Sequence, residues 1–229
     1  NLSKYATWHA NSKSVIEKGL RFPRGMNYGL YNLWKDNLFN KYNAFFLVTN
    51  DTVIKKKNTL KKLYSILLKN KKIGILSPCS RKWGENKLLK KNSIKFSWYI
   101  HNHAYLLSKN FLLKIVNPLS GYKNFLYDGS NFRGYGTEIE LLAKCYVNDY
   151  AAGITTKVKT FENESFLKKH YKYIKTDSVQ TNKKLYIEEG KKWMKEKYGF
   201  SSKWALIYYA KNFYDRFFEN YPELNKYKL

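Results

Sequence analysis

Short runs of β-forming residues alternate with amphipathic helical patterns through most of this chain of 229 residues. The runs at residues 45–48 (FFLV), 72–76 (KIGIL) and 153–160 (GITTKVKT) are typical of buried strands. Leucine and tryptophan at three- and four-residue spacing predict helices over residues 26–40 and 60–67. Because strands and helices alternate, we predict an α/β fold of three layers, α/β/α, with a mixed central sheet.

Further elements are predicted around these runs. Residues 18–24 are a predicted loop, because a glycine and Pro23 interrupt them. Residues 95–107 form one long stretch rich in β formers, and Ser108 is placed to cap a helix over residues 109–116.

The last part of the chain is mainly helical in its pattern. Residues 137–146 predict a helix before the last strand, and the patterns at residues 183–197 and 202–220 predict two more helices. We therefore predict one domain over residues 1–175 and a helical C-terminal extension over residues 176–229.

The net charge of +26 comes from lysines spread along the whole chain. Such a field attracts polyanions, which include nucleic acid, anionic lipid and phosphate-bearing substrates, although an AT-rich coding bias produces the same composition. The two cysteines, Cys79 and Cys145, lack metal-ligand spacing and fit a reducing, cytoplasmic setting. No apolar run reaches the roughly 20 residues that a spanning helix needs.

Polar residues follow the strand predicted at residues 45–48. The segment at residues 49–52 (TNDT) places Asn50 and Asp51 at the carboxyl end of that strand, where ligands bind in open α/β sheets. An aspartate there offers a hard oxygen ligand for Mg²⁺ or Mn²⁺, which would hold a diphosphate. The alternative is that the two residues only begin a turn.

Four segments of the chain resemble the family 2 glycosyltransferases of the GT-A fold, most of all their rhamnosyltransferase-like branch. Residues 21–30 (RFPRGMNYGL) and 46–52 (FLVTNDT) are similar to the family's G-F-x-x-G-x-N-x-G segment and its strand ending in N-D-D-T. Residues 72–78 (KIGILSP) resemble the next strand, V-G-x-x-x-P. Residues 127–141 (YDGSNFRGYGTEIEL) resemble the F-D-E-x-F-F-x-Y-x-E-D-x-D-L segment. Together the resemblance covers about residues 18–165.

The resemblance implies a role for each matching residue. Glu138 stands at the position of the catalytic base, which deprotonates the acceptor hydroxyl for inverting transfer. Asp51 matches the metal-binding aspartate. The positions that contact the donor are Arg24, Gly25, Asn27, Asn50 and Asp51. Asp128 would support the loop before Glu138, and Glu140 the start of its helix. His103 is a candidate at the acceptor site, because in the family the strand at this place lies beside that site.

The chain also departs from the family pattern. Asn50 and Asp51 leave one carboxylate where two are usual, and the base is a glutamate where aspartate is common. No histidine follows the last strand at residues 158–165, although Glu162 or His170 could replace it. The residues before the resemblance carry no signal of the strand–helix–strand unit that binds the nucleoside. Either that unit is missing, which we favour, or the nucleotide pocket is built differently.

Two further features are open to more than one interpretation. His101 and His103, two residues apart on a predicted strand, would share a face that could bind a metal ion or phosphate, or they are ordinary histidines on an exposed strand. The aromatic and lysine-rich C-terminal helices suit peripheral contact with an anionic membrane, or their aromatic residues pack against the domain.

The sequence therefore predicts an inverting glycosyltransferase that moves a sugar from a nucleotide-diphosphate donor to a glycan or lipid-linked acceptor. It would act in surface polysaccharide synthesis, in the cytoplasm or at the inner face of the membrane, with Mg²⁺ or Mn²⁺. The alternatives are a basic nucleic-acid-binding module, which we rank lower, and a catalytically silent GT-A-like assembly partner.

Overall fold

A computed structural model describes residues 20–49, 51–80, 87, 89–163, 165 and 178–229. These residues belong to two compact units, each built from three stretches of the chain. Residues 20–42, 116–137 and 178–202 belong to the first unit, and the other described residues belong to the second.

The described elements follow one another as the sequence pattern predicts, with strands and helices interleaved. In chain order they are α1 (Arg21–Lys35), β1 (Ala44–Val48), β2 (Thr52–Val53), α2 (Thr59–Lys69), β3 (Ile73–Ser80), β4 (Ile94–Phe96), β5 (Ala104–Ser108), α3 (Lys109–Ile115), α4 (Thr137–Val147), β6 (Ala151–Glu162), α5 (Val179–Tyr198) and α6 (Lys203–Asn220).

All six strands belong to the second unit and form one mixed sheet. The order across the sheet is β1-β5-β3-β6-β2, and β4 pairs with β6 beside this path. The β3–β6 pair is parallel, whereas β1–β5, β3–β5, β4–β6 and β2–β6 are antiparallel. The α/β class and the mixed sheet are confirmed.

Helix α2 covers the sheet with the residues that the leucine spacing predicts. Leu63, Ile66 and Leu67 are buried, together with most of β3. Leu60, by contrast, is half exposed, so it does not belong to the core face on which its spacing placed it.

Helix α1 begins at Arg21, five residues before its predicted start. Pro23 is the third residue of the helix, where the backbone N–H groups have no intrahelical acceptor, so a proline there removes no hydrogen bond. The prediction of a loop up to residue 24 was therefore wrong. In the same unit the rings of Trp34, Phe39 and Phe125 pack on one another.

Two strand boundaries also differ from the sequence interpretation. β3 continues through Pro78, and a register shift against β6 follows directly at Cys79. Proline is tolerated in a strand at such an irregularity. The β-forming stretch at residues 95–107 is two strands, β4 and β5, separated by a turn.

The two C-terminal helices are present at the predicted places as α5 and α6. They do not form one extension, because α5 belongs to the first unit and α6 to the second. Phe217 and Phe218 of α6 are buried, whereas Trp204 and Tyr208 are about two-thirds exposed. Among the described helices, none is long and apolar enough to cross a bilayer.

Candidate functional site

The turn after β1 is fastened to one backbone carbonyl, that of His103. This oxygen accepts a hydrogen bond from Thr49 N at 3.0 Å, from Thr49 Oγ1 at 3.2 Å and from Thr52 Oγ1 at 2.9 Å. The two threonine hydroxyls are also 2.9 Å apart. The threonines that flank the predicted donor residues therefore fix the end of β1 to residue 103; Asn50 itself lies outside the described residues.

Asp51 is held in this turn by its backbone. Asn163 N donates to Asp51 O at 2.7 Å, and the next two residues pair with β6 as strand β2. Within the described part of the chain, no hydrogen bond or ion pair engages the Asp51 carboxylate, which is partly exposed. Its negative charge raises the pKa of His103, so the carboxylate lies near that imidazole.

His101 and His103 are in contact, but they lie in the turn before β5 and not on a strand. Their Nδ1 atoms are 3.2 Å apart, and His103 Nε2 is 2.6 Å from Thr160 Oγ1 on β6. His103 is 1% exposed, so the exposed strand on which the alternative interpretation placed the two histidines was wrong.

Both imidazoles are neutral at pH 7. Burial lowers the pKa of His101 to about 3, helped by the charges of His103 and Lys203. Burial also lowers the pKa of His103 to about 4. A hydrogen bond to the backbone of His101 and the charge of Asp51 act in the opposite direction and raise this pKa. A neutral imidazole retains a lone pair that accepts a hydrogen bond. Glu162 lies 3.5 Å from His101 Nδ1.

Glu138 lies in the first turn of α4 and is 3% exposed. Its Oε1 accepts a hydrogen bond from Lys203 Nζ at 2.6 Å. Its Oε2 is buried and has no hydrogen-bond partner among the described residues. A buried carboxylate oxygen without a donor is uncommon in folded proteins, so this atom is a candidate for contact with a ligand.

Lys203 lies beside Glu138 and also acts electrostatically on His101. Its ammonium group lies 5.7 Å from the centre of the Tyr99 ring, and its charge contributes to the lowered pKa of His101. The second unit thus holds the predicted site residues Asp51, His103 and Glu138, and the charges of Asp51 and Lys203 act on the histidine pair. Lys203 was not predicted, because nothing in its local sequence distinguishes it from the other lysines.

Asn27, a predicted donor contact, has a structural role in the first unit. Its Nδ2 donates to Lys123 O and Tyr127 O, and its Oδ1 accepts from Leu126 N and Tyr127 N. The side chain is fully buried. These four bonds use both amide protons and both lone pairs of the oxygen, so Asn27 fixes the loop at residues 123–127 and has no donor or acceptor left for a nucleotide-sugar.

Arg24 and Gly25 follow each other in α1. Arg24 Nε donates to Gly129 O at 2.8 Å, and its guanidinium lies 5.1 Å from the centre of the Phe132 ring. A side chain at position 25 would meet only Leu20 Cβ, at 3.9 Å, so packing does not require glycine there. The donor contacts predicted for these two residues stay predictions.

Asp128 and Glu140 both pair with lysine side chains of their own unit. Asp128 Oδ2 accepts from Lys197 Nζ at 2.6 Å and from Trp193 Nε1 at 3.1 Å, which joins its loop to α5. Burial alone would raise the pKa of Asp128, but these bonds and those from Ser130 outweigh it and hold the pKa well below its usual range. Glu140 is buried in α4, 3.6 Å from Lys144.

The described side chains do not provide a complete set of ligands for the predicted metal ion. The described residues contain no group of three histidine, cysteine, aspartate or glutamate side chains that could hold an ion. Asp51 is a single carboxylate, and His170 lies outside the described residues.

Comparison with protein-family models, with curated proteins and with solved structures found no match to the chain.

Proposed function

We propose that the chain is an inverting glycosyltransferase with a GT-A-like fold, which moves a sugar from a nucleotide-diphosphate donor to a hydroxyl group. The observation that carries the proposal is the state of Glu138, a buried carboxylate with one oxygen held by Lys203 and the other without a partner among the described residues. The order of the four motifs that resemble the family adds to it.

Glu138 supplies the proton acceptor of the reaction. Its unpartnered Oε2 accepts the proton of the acceptor hydroxyl as that oxygen attacks the anomeric carbon of the donor. The bond from that carbon to the diphosphate breaks on the opposite face, so the configuration inverts. A positioned general base contributes typically about 10²- to 10⁴-fold to a rate.

Lys203 sets the orientation of that base. Its ammonium group holds Oε1 at 2.6 Å, and the first turn of α4 is a favourable place for a negative charge. Because Lys203 engages only Oε1, the syn and anti lone pairs of Oε2 remain for the acceptor. One oxygen of the carboxylate is thereby fixed, and the other is left for the acceptor hydroxyl.

Asp51 is assigned to the donor. If a divalent ion accompanies the diphosphate, Asp51 is the residue that would bind it, and the ion would then offset the charge of the leaving group. The described residues bring together no complete set of side-chain ligands for such an ion. The acceptor in this proposal is a glycan or a lipid-linked saccharide, handled on the cytoplasmic side of the membrane.

A donor screen tests the proposal. Hydrolysis and thermal stabilisation are measured with uridine, guanosine, thymidine and cytidine diphosphate sugars, each with and without Mn²⁺. We expect one donor to stabilise the protein and to be hydrolysed slowly. The Asp51→Asn variant should lose this response, whereas Asp36→Asn, which changes an exposed aspartate of the first unit, should retain it. Absence of a response to every donor would count against the enzyme.

A further inference from the structure

Helix α2 and its flanking residues form the most one-sided charge distribution of the second unit. Residues 54–72 contain eight lysines and no aspartate or glutamate. Those that the structure shows as exposed are Lys55, Lys56, Lys57, Lys61, Lys62, Lys69 and Lys71. We define this set, with the apolar residues described next, as the α2 surface.

Large apolar side chains are exposed on the same surface. Leu60 is 52% exposed, Leu68 is 59% exposed, and Ile54 just before the helix is 38% exposed. At 3.6 residues per turn, Leu60 and Leu68 lie within about 80° of each other around the helix axis. Lys61 follows Leu60 and Lys69 follows Leu68, and all four side chains are exposed.

Exposed leucines beside clustered lysines are the composition of surfaces that bind anionic bilayers. The aliphatic side chains enter the boundary between headgroups and acyl chains, while the ammonium groups remain with the lipid phosphates. Lysine stems are long enough for both environments. We propose that the α2 surface docks the protein on an anionic membrane. This inference does not depend on glycosyl transfer.

The side chains favour a bilayer over nucleic acid as the occupant. Nucleic-acid surfaces combine basic residues with aromatic rings and arginine planes on which bases stack. Residues 54–72 include no arginine, and Tyr64 is their single aromatic residue. Its hydroxyl accepts a hydrogen bond from Asn43 Nδ2 at 3.2 Å. Exposed aliphatic side chains gain little from contact with phosphates or bases, but they gain from leaving water at a bilayer.

Vesicle co-sedimentation tests the proposal with the full chain. We expect binding to vesicles of phosphatidylcholine mixed with phosphatidylglycerol, weak binding to phosphatidylcholine alone, and loss of binding as salt is raised. The variant K61Q/K62Q/K69Q should bind roughly 100-fold more weakly, because each lysine near an anionic surface contributes about fivefold. Leu60→Ser with Leu68→Ser should reduce binding about tenfold.

Matched controls separate the α2 surface from net charge and from exposed leucine in general. The variant K183Q/K191Q/K195Q removes the same charge from exposed positions of α5 and should change binding less than about threefold. Leu119→Ser changes a leucine that is 99% exposed in the first unit and should have no effect. Urea unfolding verifies that every variant is folded.

Three results would overturn the proposal. One is equal binding to neutral and anionic vesicles. Another is a lysine variant of α2 that binds no more weakly than its α5 control. The third is tight binding to a single-stranded oligonucleotide that depends on the lysines but not on Leu60 and Leu68, since the surface would then be a nucleic-acid site.

Discussion

Lys203 Nζ lies 2.6 Å from Glu138 Oε1, and the two side chains are 20% and 3% exposed. They are 65 residues apart in sequence. Burying one charge of such a pair without the other is costly, so each side chain stabilises the other in this position. The pair therefore stabilises the fold, and in the proposed reaction it also orients the general base.

Replacing Glu138 with glutamine should abolish most of the transfer. The amide retains the shape but accepts no proton, so we expect kcat to fall by about 10²- to 10⁴-fold, with donor binding unchanged. Product formation and donor binding are measured separately. Glu223→Gln, at an exposed position, is the control and should be fully active. An active Glu138→Gln variant would remove Glu138 from the role of base.

Replacing Lys203 with methionine should destabilise the protein by about 3 kcal/mol, because it leaves the buried carboxylate without its partner. Urea unfolding measures the loss. The double variant Lys203→Met with Glu138→Gln should recover part of that free energy. Lys211→Met breaks the more exposed pair with Asp215 and should cost no more than about 1 kcal/mol. If Lys203→Met and Lys211→Met lowered the free energy of unfolding by the same amount, the pair of Lys203 and Glu138 would not be buried in solution.

Replacing Asn27 with alanine should destabilise the protein by about 3 kcal/mol, because four backbone groups of the buried loop lose their partners. Asn32→Ala, on the same helix, removes a single bond to Tyr28 O and should cost about 1 kcal/mol. The midpoint of urea unfolding compares the two. If Asn27 acts on the donor instead, its variant will be as stable as Asn32→Ala and will lose donor binding.

The histidine pair should make stability fall between about pH 6.5 and pH 4. Both groups have a lower pKa in the folded protein than the ordinary 6.5, so the unfolded chain binds protons first as pH falls. Each histidine should contribute a slope of about 1.4 kcal/mol per pH unit in this window, and none above it. Unfolding free energies of the protein and of His103→Gln at several pH values measure the slope, which should be smaller in the variant.

Asp128 should act in a lower pH window. Its folded pKa is below the ordinary 3.8, so its contribution is fully present above that pH and is lost as pH falls further. The protein should therefore melt at a higher temperature than Asp128→Asn at pH 7, and the difference should narrow below pH 4. A constant difference at all pH values would show that the charge of Asp128 is not the stabilising feature.

Much of the fold was predictable because the apolar residues repeat with the period of their elements. β1, α2, α4, β6, α5 and α6 all appear where the pattern places them. The start of α1 was not predictable from the positions of glycine and proline alone, since a proline such as Pro23 is tolerated in the first turn of a helix. The break between β4 and β5 was not predictable either. Residues 97–103 are rich in β formers, but they form a turn that is held by contacts with residues distant in sequence.

The candidate site was predictable only in part, for a related reason. The motifs indicated Asp51 and Glu138, and the polar cluster at residues 101–103 indicated His103; all three residues belong to the second unit. The role of Lys203 was not predictable, since it depends on the contact with Glu138, which is 65 residues away in sequence. Asn27 shows the converse, because a residue that a motif suggests for ligand binding is occupied by the backbone of its own unit.

The interleaving of the two units has a consequence for protein synthesis. The strands of the second unit come from residues 43–115 and 138–166, but its last helix follows residue 203. A ribosome therefore releases Glu138 long before the lysine that neutralises it. Until then the nascent second unit carries a carboxylate that it cannot bury at low cost, so we expect it to compact fully only after α6 has been synthesised.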